Sequence, residues 1–267
     1  MTESIPAYFM DDPREATRLA DKVNSHQWVE QYLSQYISKT LAVLEVGCGP
    51  GMLVAELAGR YSELEIIGMD ASPDRIAHAE RQLVGLKNAT AILGKAESLA
   101  FESSRFDLTY CRFLFQYLPN PLLALQEMVR VTRPGGRVFL QDLDGQLLWH
   151  YPPDEAFQSS LEKVVDALAT SGFDPFVGRK LFHLAYTAGL EEIQVQVEPY
   201  HLYAGKIDEH NYRLWELKLD IAIPAAAKAL GRQEAAQKLK AQFLEYLLRE
   251  DSLTYSTIFT VTGIKPT

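Results

Sequence analysis

The residues best suited to hold a ligand form a turn in which every second position is glycine. This turn, residues 47–51, directly follows residues 43–46, which are apolar except for Glu45. Because glycine lacks a Cβ atom and adopts positive φ without penalty, the turn can lie against a ligand and direct backbone N–H groups toward it. One carboxylate precedes the turn at Glu45, and another follows at Asp70. The pattern predicts a ligand-binding turn between a strand and a helix.

The elements that must position this turn alternate regularly from residue 41 to residue 142. Short apolar runs are separated there by segments with helical periodicity. The runs predict strands at 41–46, 64–69, 89–94, 106–111 and 137–141. Such alternation is typical of βαβ units around a parallel sheet. Two later segments, 193–197 and 255–261, have strand patterns and are suited to antiparallel pairing.

We therefore predict an α/β fold with a doubly wound, Rossmann-like, mostly parallel sheet of seven strands and an antiparallel terminal strand. A chain of 267 residues with 47% hydrophobic content can bury a sizeable core, and we expect one domain over 1–267. Its parts are an N-terminal helical cap at 1–40, a cofactor-binding core at 41–142, a helical segment at 143–190 and a helical insertion at 205–250. The N-terminal cap either covers a ligand or packs on the sheet. Its polar and aromatic candidates are Arg18 and Tyr8.

A dinucleotide is one of two classes of cofactor that fit a strand, a glycine turn, a helix and an acid at the end of the next strand. The dinucleotide fingerprint places its third glycine in the spacing G-x-G-x-x-G. Here the spacing is G-x-G-x-G, and position 52 is Met. The dinucleotide fingerprint is therefore not met.

At these residues the sequence resembles the class I S-adenosylmethionine-dependent methyltransferases, in particular the small-molecule branch of ubiquinone and menaquinone type (methyltransferase type 11/25-like). The resemblance covers about residues 41–142. Its motifs are Leu44 to Gly51, Gly68 to Ser72, Gly94 to Glu97, Phe106 to Leu108 and Arg133 to Gly136.

The resemblance implies S-adenosyl-L-methionine as the cofactor and assigns roles by position. The implied cofactor site consists of Glu45, Gly47, Cys48, Gly49, Gly51, Asp70, Ala71, Ala96, Glu97, Arg112 and Gln116. Glu45 would hold the ammonium group, directly or through water. Asp70 would accept hydrogen bonds from both ribose hydroxyls. Ala96 and Glu97 would lie beside the adenine, and Phe113 would follow the fourth strand into the active site together with Arg112 and Gln116.

Lys95 departs from the family pattern. Relatives commonly carry an acid at this position, which accepts a hydrogen bond from the adenine amino group, and lysine has no acceptor. Either Glu97 or a backbone carbonyl replaces that acid, or adenine is held mainly by apolar contact.

The implied activity is methyl transfer to a small, apolar or aromatic organic acceptor. A hydroxyl or acidic carbon as acceptor needs a general base, and His150, after the fifth strand, is the candidate. His183, His201 and His210 are weaker candidates, and Tyr117 is a candidate pocket residue. One alternative is a protein that binds S-adenosylmethionine without methylating, with a structural cofactor or a cyclisation reaction. A nucleotide-dependent oxidoreductase is a weaker alternative.

Composition and charge narrow the classes of partner. A net charge of -9 argues against a broad nucleic-acid surface, and no run of 18 uncharged apolar residues predicts a membrane span. We expect a cytoplasmic protein, monomeric or homodimeric, that acts on a small molecule without inserting into a membrane. Cys48 and Cys111 have no metal-type spacing, so no metal is expected.

Overall fold

The computed structural model describes residues 10, 12–37, 41–170 and 172–267, with the side chains of 146 and 147 left out. Tyr8, a candidate from the sequence, lies outside the described residues. Within the described residues, no helix combines the length and the apolarity that a membrane span requires.

A seven-stranded sheet forms the centre of the molecule, in the order β3-β2-β1-β4-β5-β7-β6. The strands are β1 (Ala42–Val46), β2 (Glu65–Asp70), β3 (Ala89–Leu93), β4 (Phe106–Arg112), β5 (Thr132–Tyr151), β6 (Glu191–Ala204) and β7 (Leu253–Ile264). β1 to β5 pair in parallel, and β7 lies antiparallel to both β5 and β6. The predicted α/β fold class, with its mostly parallel sheet and antiparallel terminal strand, is confirmed.

The strand registers bring the chemical residues to one edge of the sheet. Val46 pairs with Met69, and Glu45 pairs with both Gly68 and Tyr110. The carboxyl ends of β1, β2 and β4 therefore meet, as expected where strands run in parallel. Val43 to Val46 of β1 are buried because helices cover both faces of the sheet, and all of them except Glu45 are apolar.

Nine α-helices within the described residues surround the sheet. They are α1 (Pro13–Lys22), α2 (Ser25–Trp28), α3 (Met52–Arg60), α4 (Pro73–Gln82), α5 (Pro121–Val131), α6 (Glu155–Ala169), α7 (Leu181–Thr187), α8 (Glu209–Leu230) and α9 (Gln233–Leu247). Ser72 forms the N-cap of α4, since its side chain accepts a hydrogen bond from the N–H of Arg75, and proline occupies the first helical position.

The N-terminal region is more broken than its periodicity predicts. α1 ends where Val23 is extended, and Asn24 caps α2 by accepting a hydrogen bond from the N–H of Gln27. After α2 the chain continues as a π-helical turn, Val29–Leu33, and a 3₁₀ turn, Ser34–Tyr36. The break gives α1 a direction of its own, and α1 packs against α8.

β5 is much longer than the predicted strand at 137–141. Residues 143–151 of the predicted helical segment belong to this strand instead, since β5 pairs with β7 from Arg137 opposite Ile264 to Tyr151 opposite Leu253. α8 and α9 lie between β6 and β7, within the range predicted for a helical insertion. They pack on the far part of β5 through a cluster that includes Leu148, Trp215 and Phe243.

Candidate active site

A cavity of about 980 Å³ opens at the carboxyl edge of the sheet. The glycine turn and the ends of β1, β2 and β4 form its floor, and residues of α1 and α8 form the opposite wall. Its volume is at the upper end of the range for small-molecule sites. It therefore has room for a ligand larger than a single metabolite of a few atoms.

The glycine turn lines the cavity, but its backbone amides form hydrogen bonds within the protein. Gly47 and Gly49 have φ of +76° and +56°, and both line the cavity. The N–H groups of Gly47 and Cys48 donate to the carbonyl of Met69, at 2.7 and 2.9 Å. The expectation that the turn directs these amides toward a ligand is therefore wrong for both residues. At Gly47 and Gly49 the turn instead offers backbone that carries no side chain.

Gly51 does not line the cavity. Its φ is +80°, and a Cβ at this position would lie 2.7 Å from the Cβ of Ala79. Ala79 belongs to α4, so Gly51 allows α3 and α4 to approach each other. Of the residues assigned to the cofactor site from the sequence, Gly51 has this packing role, and all the others line the cavity.

Asp70 is 6% exposed and holds the turn in place. Its Oδ2 accepts a hydrogen bond from the N–H of Gly49 at 2.9 Å. Its Oδ1 accepts from the N–H of Ser72 and from Nε of Arg75, each at 2.9 Å. Since a carboxylate has about four acceptor positions, Oδ2 keeps capacity for a ligand hydroxyl. Arg75 is a partner that the sequence analysis did not identify.

Glu45 is 3% exposed and lies on the cavity floor. Its Oε2 accepts a hydrogen bond from the hydroxyl of Tyr110 at 2.9 Å. Burial raises the pKa of the Glu45 carboxyl to about 8, with the Tyr110 hydrogen bond and the nearby charge of Arg112 acting in the opposite direction. An ammonium group in the cavity would favour the ionised carboxylate.

The loop after β3 contributes Lys95, Ala96 and Glu97 to the cavity. Ala96 is buried, Glu97 is half-buried and Lys95 is exposed. Glu97 is therefore the carboxylate that this loop presents to the cavity. This placement is compatible with Glu97 replacing the acid that relatives carry at the position of Lys95.

Two polar atoms at the end of β4 are buried and lack a hydrogen-bond partner among the described residues. They are Nε of Arg112 and Oε1 of Gln116, and both side chains line the cavity. Between them, Phe113 has a φ of +55°, a left-handed conformation that costs a residue with a Cβ about 1–3 kcal/mol. Orphaned polar atoms and local strain of this kind are typical of ligand sites. The residues present thus fit a ligand with an ammonium group, ribose hydroxyls and an adenine.

Comparison with known proteins agrees with this geometry. Residues 43–136 match the model of a family described as Methyltransferase domain. This part of the chain is a methyltransferase domain. It contains the glycine turn, Glu45, Asp70 and the end of β4, so the family match covers this side of the cavity, whereas the lining residues of α1 and α8 lie outside it.

Relatives and solved structures extend the comparison beyond this methyltransferase domain. An uncharacterized methyltransferase of Schizosaccharomyces pombe is 28% identical over 190 residues, 64% of this chain and 68% of the relative. A malonyl-[acyl-carrier protein] O-methyltransferase of Herminiimonas arsenicoxydans is 32% identical over 145 residues, 49% of this chain and 52% of the relative. The chain spans about half the length of several curated relatives that it matches.

Among solved structures, phosphoethanolamine N-methyltransferase 2 of Haemonchus contortus in complex with S-adenosyl-L-methionine has the same fold. Its TM-score is 0.63 at 15% identity, and the match covers 99% of this chain and 60% of that chain. The flanking helices and the antiparallel strands therefore belong to the same architecture as the methyltransferase domain.

His150, the base candidate, is not among the residues that line the cavity. It lies on the long extension of β5, where its Nδ1 is 3.0 Å from Oγ1 of Thr254. Its ring packs against Phe157 and Tyr246, with centroid distances of 5.2 and 4.7 Å. The extension of β5 carries His150 away from the carboxyl edge of the sheet, so we assign it a packing role.

The opposite wall of the cavity contains residues that sequence reasoning missed. Arg18, which the sequence analysis named as a candidate, lines the cavity. The residues that the sequence analysis did not identify are Glu15, Lys22 and Lys218. Arg18 and Lys22 are four residues apart on α1 and therefore share a helix face, which is a local signal. Lys218 has no such signal, because it reaches the cavity only through the packing of α8. Tyr117 also lines the cavity.

Proposed function

We propose that this chain is an S-adenosylmethionine-dependent methyltransferase that methylates a small organic acceptor. The observation that carries the proposal is the presence of two buried carboxylates, Glu45 and Asp70, beside a turn that presents the backbone of Gly47 and Gly49 to the cavity. One cavity contains all three features. The match of residues 43–136 to the methyltransferase domain supports the same conclusion.

The residues of the cavity floor would hold the cofactor along its length. Glu45 would bind the ammonium group of its amino-acid end, and Asp70 would accept hydrogen bonds from the ribose. Ala96 and Glu97 would lie beside the adenine. Gln116, whose Oε1 accepts no hydrogen bond from the described residues, offers an acceptor toward the reacting end of the cavity.

When bound, the cofactor supplies a methyl group on a positively charged sulfur. The acceptor atom would form a bond to the methyl carbon while the carbon–sulfur bond breaks and its electron pair stays on sulfur. The protein must hold the acceptor behind the methyl carbon, and such positioning lowers a barrier by about 7–11 kcal/mol. Any proton on the acceptor atom passes to a base. A side chain for that step is not assigned, since His150 lies outside the cavity lining.

The part of the cavity beyond the cofactor residues has an apolar and aromatic surface. Phe113, Leu114, Tyr117 and Leu118 contribute to it. Phe113 and Tyr117 are both half-buried. These side chains support an acceptor with an apolar or aromatic body.

The experiment that tests the proposal has two stages. Calorimetric titration with S-adenosylmethionine should give binding in the micromolar range for the wild-type chain. The protein, cofactor and pooled small molecules of a host extract are then incubated, and mass spectrometry should detect one metabolite that gains a methyl group while S-adenosylhomocysteine accumulates. Absence of cofactor binding at high micromolar concentration rejects the proposal. Binding without any formation of S-adenosylhomocysteine would instead favour a non-methylating role.

A further inference from the structure

The side of the cavity formed by α1, α8 and the end of β4, which we call the acceptor end, carries an excess of positive charge. Its cationic lining residues are Arg18, Lys22, Arg112 and Lys218. Glu15 is the carboxylate that the described lining contributes at this end, and it is engaged by Arg18 in two hydrogen bonds of 2.7 Å. Among the described residues, no carboxylate that lines the cavity forms an ion pair with Lys22, Arg112 or Lys218. This occurs in a chain whose net charge is -9.

Lys22 is held by aromatic rings. It is half-buried on α1, and its Nζ lies 5.5 Å from the ring centroid of Phe113 and 5.3 Å from that of Tyr200. Among the described residues, it has no ion pair with a carboxylate. Burial lowers the pKa of the Lys22 amine well below its ordinary value, and the charges of Arg18, Lys218 and Arg112 act in the same direction.

Lys218 approaches from the other helix. It is half-buried on α8, and its Nζ lies 4.9 Å from the ring centroid of Trp215. No carboxylate within the described part of the chain forms an ion pair with it. Burial lowers the pKa of the Lys218 amine to about 7, and Arg18 contributes to the same shift while Glu15 opposes it.

Arg112 completes the group from the end of β4. Its guanidinium lies 4.1 Å from the ring centroid of Phe113 and 5.7 Å from that of Trp28. Its Nε is buried and donates no hydrogen bond to any residue in the described ranges. Lys22 and Arg112 therefore both contact Phe113, which places two cations beside one ring at the cavity wall.

Desolvated cations destabilise a fold unless a charge of opposite sign compensates them. Aromatic faces compensate only in part, because a cation–π contact contributes about 0.5–2 kcal/mol. A ring, unlike a carboxylate, does not compete with an incoming anion for the N–H donors. The arrangement thus leaves the amine and guanidinium donors available to a bound ligand, and a bound anion would favour the charged form of both amines.

We propose that the methyl acceptor carries an anionic group, a carboxylate or a phosphate monoester, which binds between Lys22, Lys218 and Arg112. This inference rests on the proposed methyltransferase function and defines its substrate class further than an apolar or aromatic body does. The two ends of the cavity then orient the acceptor. Glu45 and Asp70 take the ammonium group and the ribose of the cofactor, and the cations hold the anionic group of the acceptor beside α1, α8 and the end of β4.

The test compares charged and neutral probes of equal size. Benzoate and phenyl phosphate are titrated against the full chain by calorimetry, with benzamide and benzyl alcohol as neutral counterparts. We expect at least one anionic probe to bind about tenfold or more tightly than the neutral probes, since hydrogen bonds to charged groups contribute roughly 1.5–3 kcal/mol. The two anionic probes separate a carboxylate site from a phosphate site. Equal binding, or no binding of any probe up to tens of millimolar, overturns the inference.

The variant that tests the residues is the double substitution Lys22→Met and Lys218→Met. It should lose about tenfold or more of the affinity for the anionic probe and keep its affinity for the neutral ones. Lys228→Met is the matched control, since Lys228 is an exposed lysine on the same helix α8. Anion affinity that is unchanged in the double variant, or lost equally in the control, contradicts the assignment.

Thermal unfolding shows whether the lysines serve binding or folding. Replacing desolvated charges by apolar side chains of similar volume is often neutral or stabilising, so the double variant should unfold at the same temperature as the wild type or higher. A lower unfolding temperature in the double variant and in each single variant would show a structural role and overturn the inference. If only the double variant unfolds early, the anion titrations are carried out on the single variants.

A parallel titration with S-adenosylmethionine separates this inference from the function on which it rests. The double variant should bind the cofactor as the wild type does, because Glu45 and Asp70 are unchanged. A wild-type chain that binds the cofactor but does not distinguish the probes contradicts only the anionic acceptor. A chain that binds anions but no cofactor contradicts the methyltransferase function.

Discussion

The two ends of the cavity use charge in different ways. At the cofactor end, Asp70 accepts hydrogen bonds from neighbouring backbone N–H groups and from Arg75, and Glu45 accepts one from Tyr110. At the acceptor end, Lys22 and Lys218 contact aromatic rings. The first end is organised by hydrogen bonds within the protein, and the second has donors left for a ligand.

This difference follows from how each end is built. Much of the cofactor end is formed by residues 45–75, where hydrogen bonds to Asp70 fix the glycine turn, and Tyr110 of the neighbouring strand β4 fixes Glu45. The acceptor end joins α1 and α8, whose residues are far apart in the chain. The amino-acid sequence of elements that are joined only by packing can change without disturbing the sheet. A fixed cofactor site with a variable acceptor site is what a family with many acceptors needs.

The largest expected effect comes from Asp70→Asn. The amide keeps the size of the side chain but loses the charge and one acceptor, so affinity for S-adenosylmethionine should fall more than 100-fold, about 3 kcal/mol, by calorimetry. Asp74→Asn is the control, because Asp74 is exposed in the first turn of α4. Unchanged cofactor affinity in folded Asp70→Asn would remove the basis for assigning this end to the ribose.

Gly51→Ala should destabilise the cofactor end without touching the cavity. Its positive φ and the 2.7 Å approach to Ala79 predict a loss of about 2 kcal/mol in the free energy of unfolding. Gly59→Ala is the matched variant. Gly59 lies inside α3 with open space around it, so alanine should stabilise by about 0.5–1 kcal/mol. Denaturant titrations in which both variants behave alike would contradict the packing role of Gly51.

Affinity for S-adenosylmethionine should depend on pH through Glu45. Its pKa is about 8 before binding, and an ammonium group binds the ionised form. Each protonated Glu45 must release its proton, so affinity rises by up to about tenfold per pH unit below 8, and it falls again at higher pH where the amino group of the cofactor loses its own proton. Calorimetry from pH 6 to pH 9 measures both changes. Glu45→Gln should flatten the rise below pH 8, and a rise that persists in that variant assigns the titration to another group.

The smallest effect is expected for His150→Phe, which tests whether His150 lies outside the acceptor end of the cavity. His150 packs among Phe157 and Tyr246, outside the cavity lining. The rate of methyl transfer to the acceptor found by the mass-shift screen should stay within about twofold, whereas loss of a general base reduces rates by roughly 100- to 10,000-fold. Thr254→Val, which removes the hydroxyl beside Nδ1 of His150, should behave the same way. A large loss of rate in His150→Phe alone would restore His150 as the base.

Local patterns in the amino-acid sequence were sufficient to predict the fold class and the cofactor end. Glycine spacing, short apolar strands and acids at strand ends are such patterns, and a parallel sheet brings the ends of its strands together wherever they occur. The sequence alone could therefore assign Glu45 and Asp70 to one edge of the sheet. Predicted boundaries were less accurate where pairing partners are distant, as in β5, whose length depends on β7.

The acceptor end, by contrast, is defined by tertiary packing. His150 follows the fifth strand in sequence, but the continued pairing of β5 with β7 carries it away from the cavity. Lys218 has no local feature that marks it, and it reaches the cavity because α8 packs against α1. The charge of a site built from distant helices depends on how those helices pack, and side-chain packing over long sequence separations is not encoded in any single stretch of the chain.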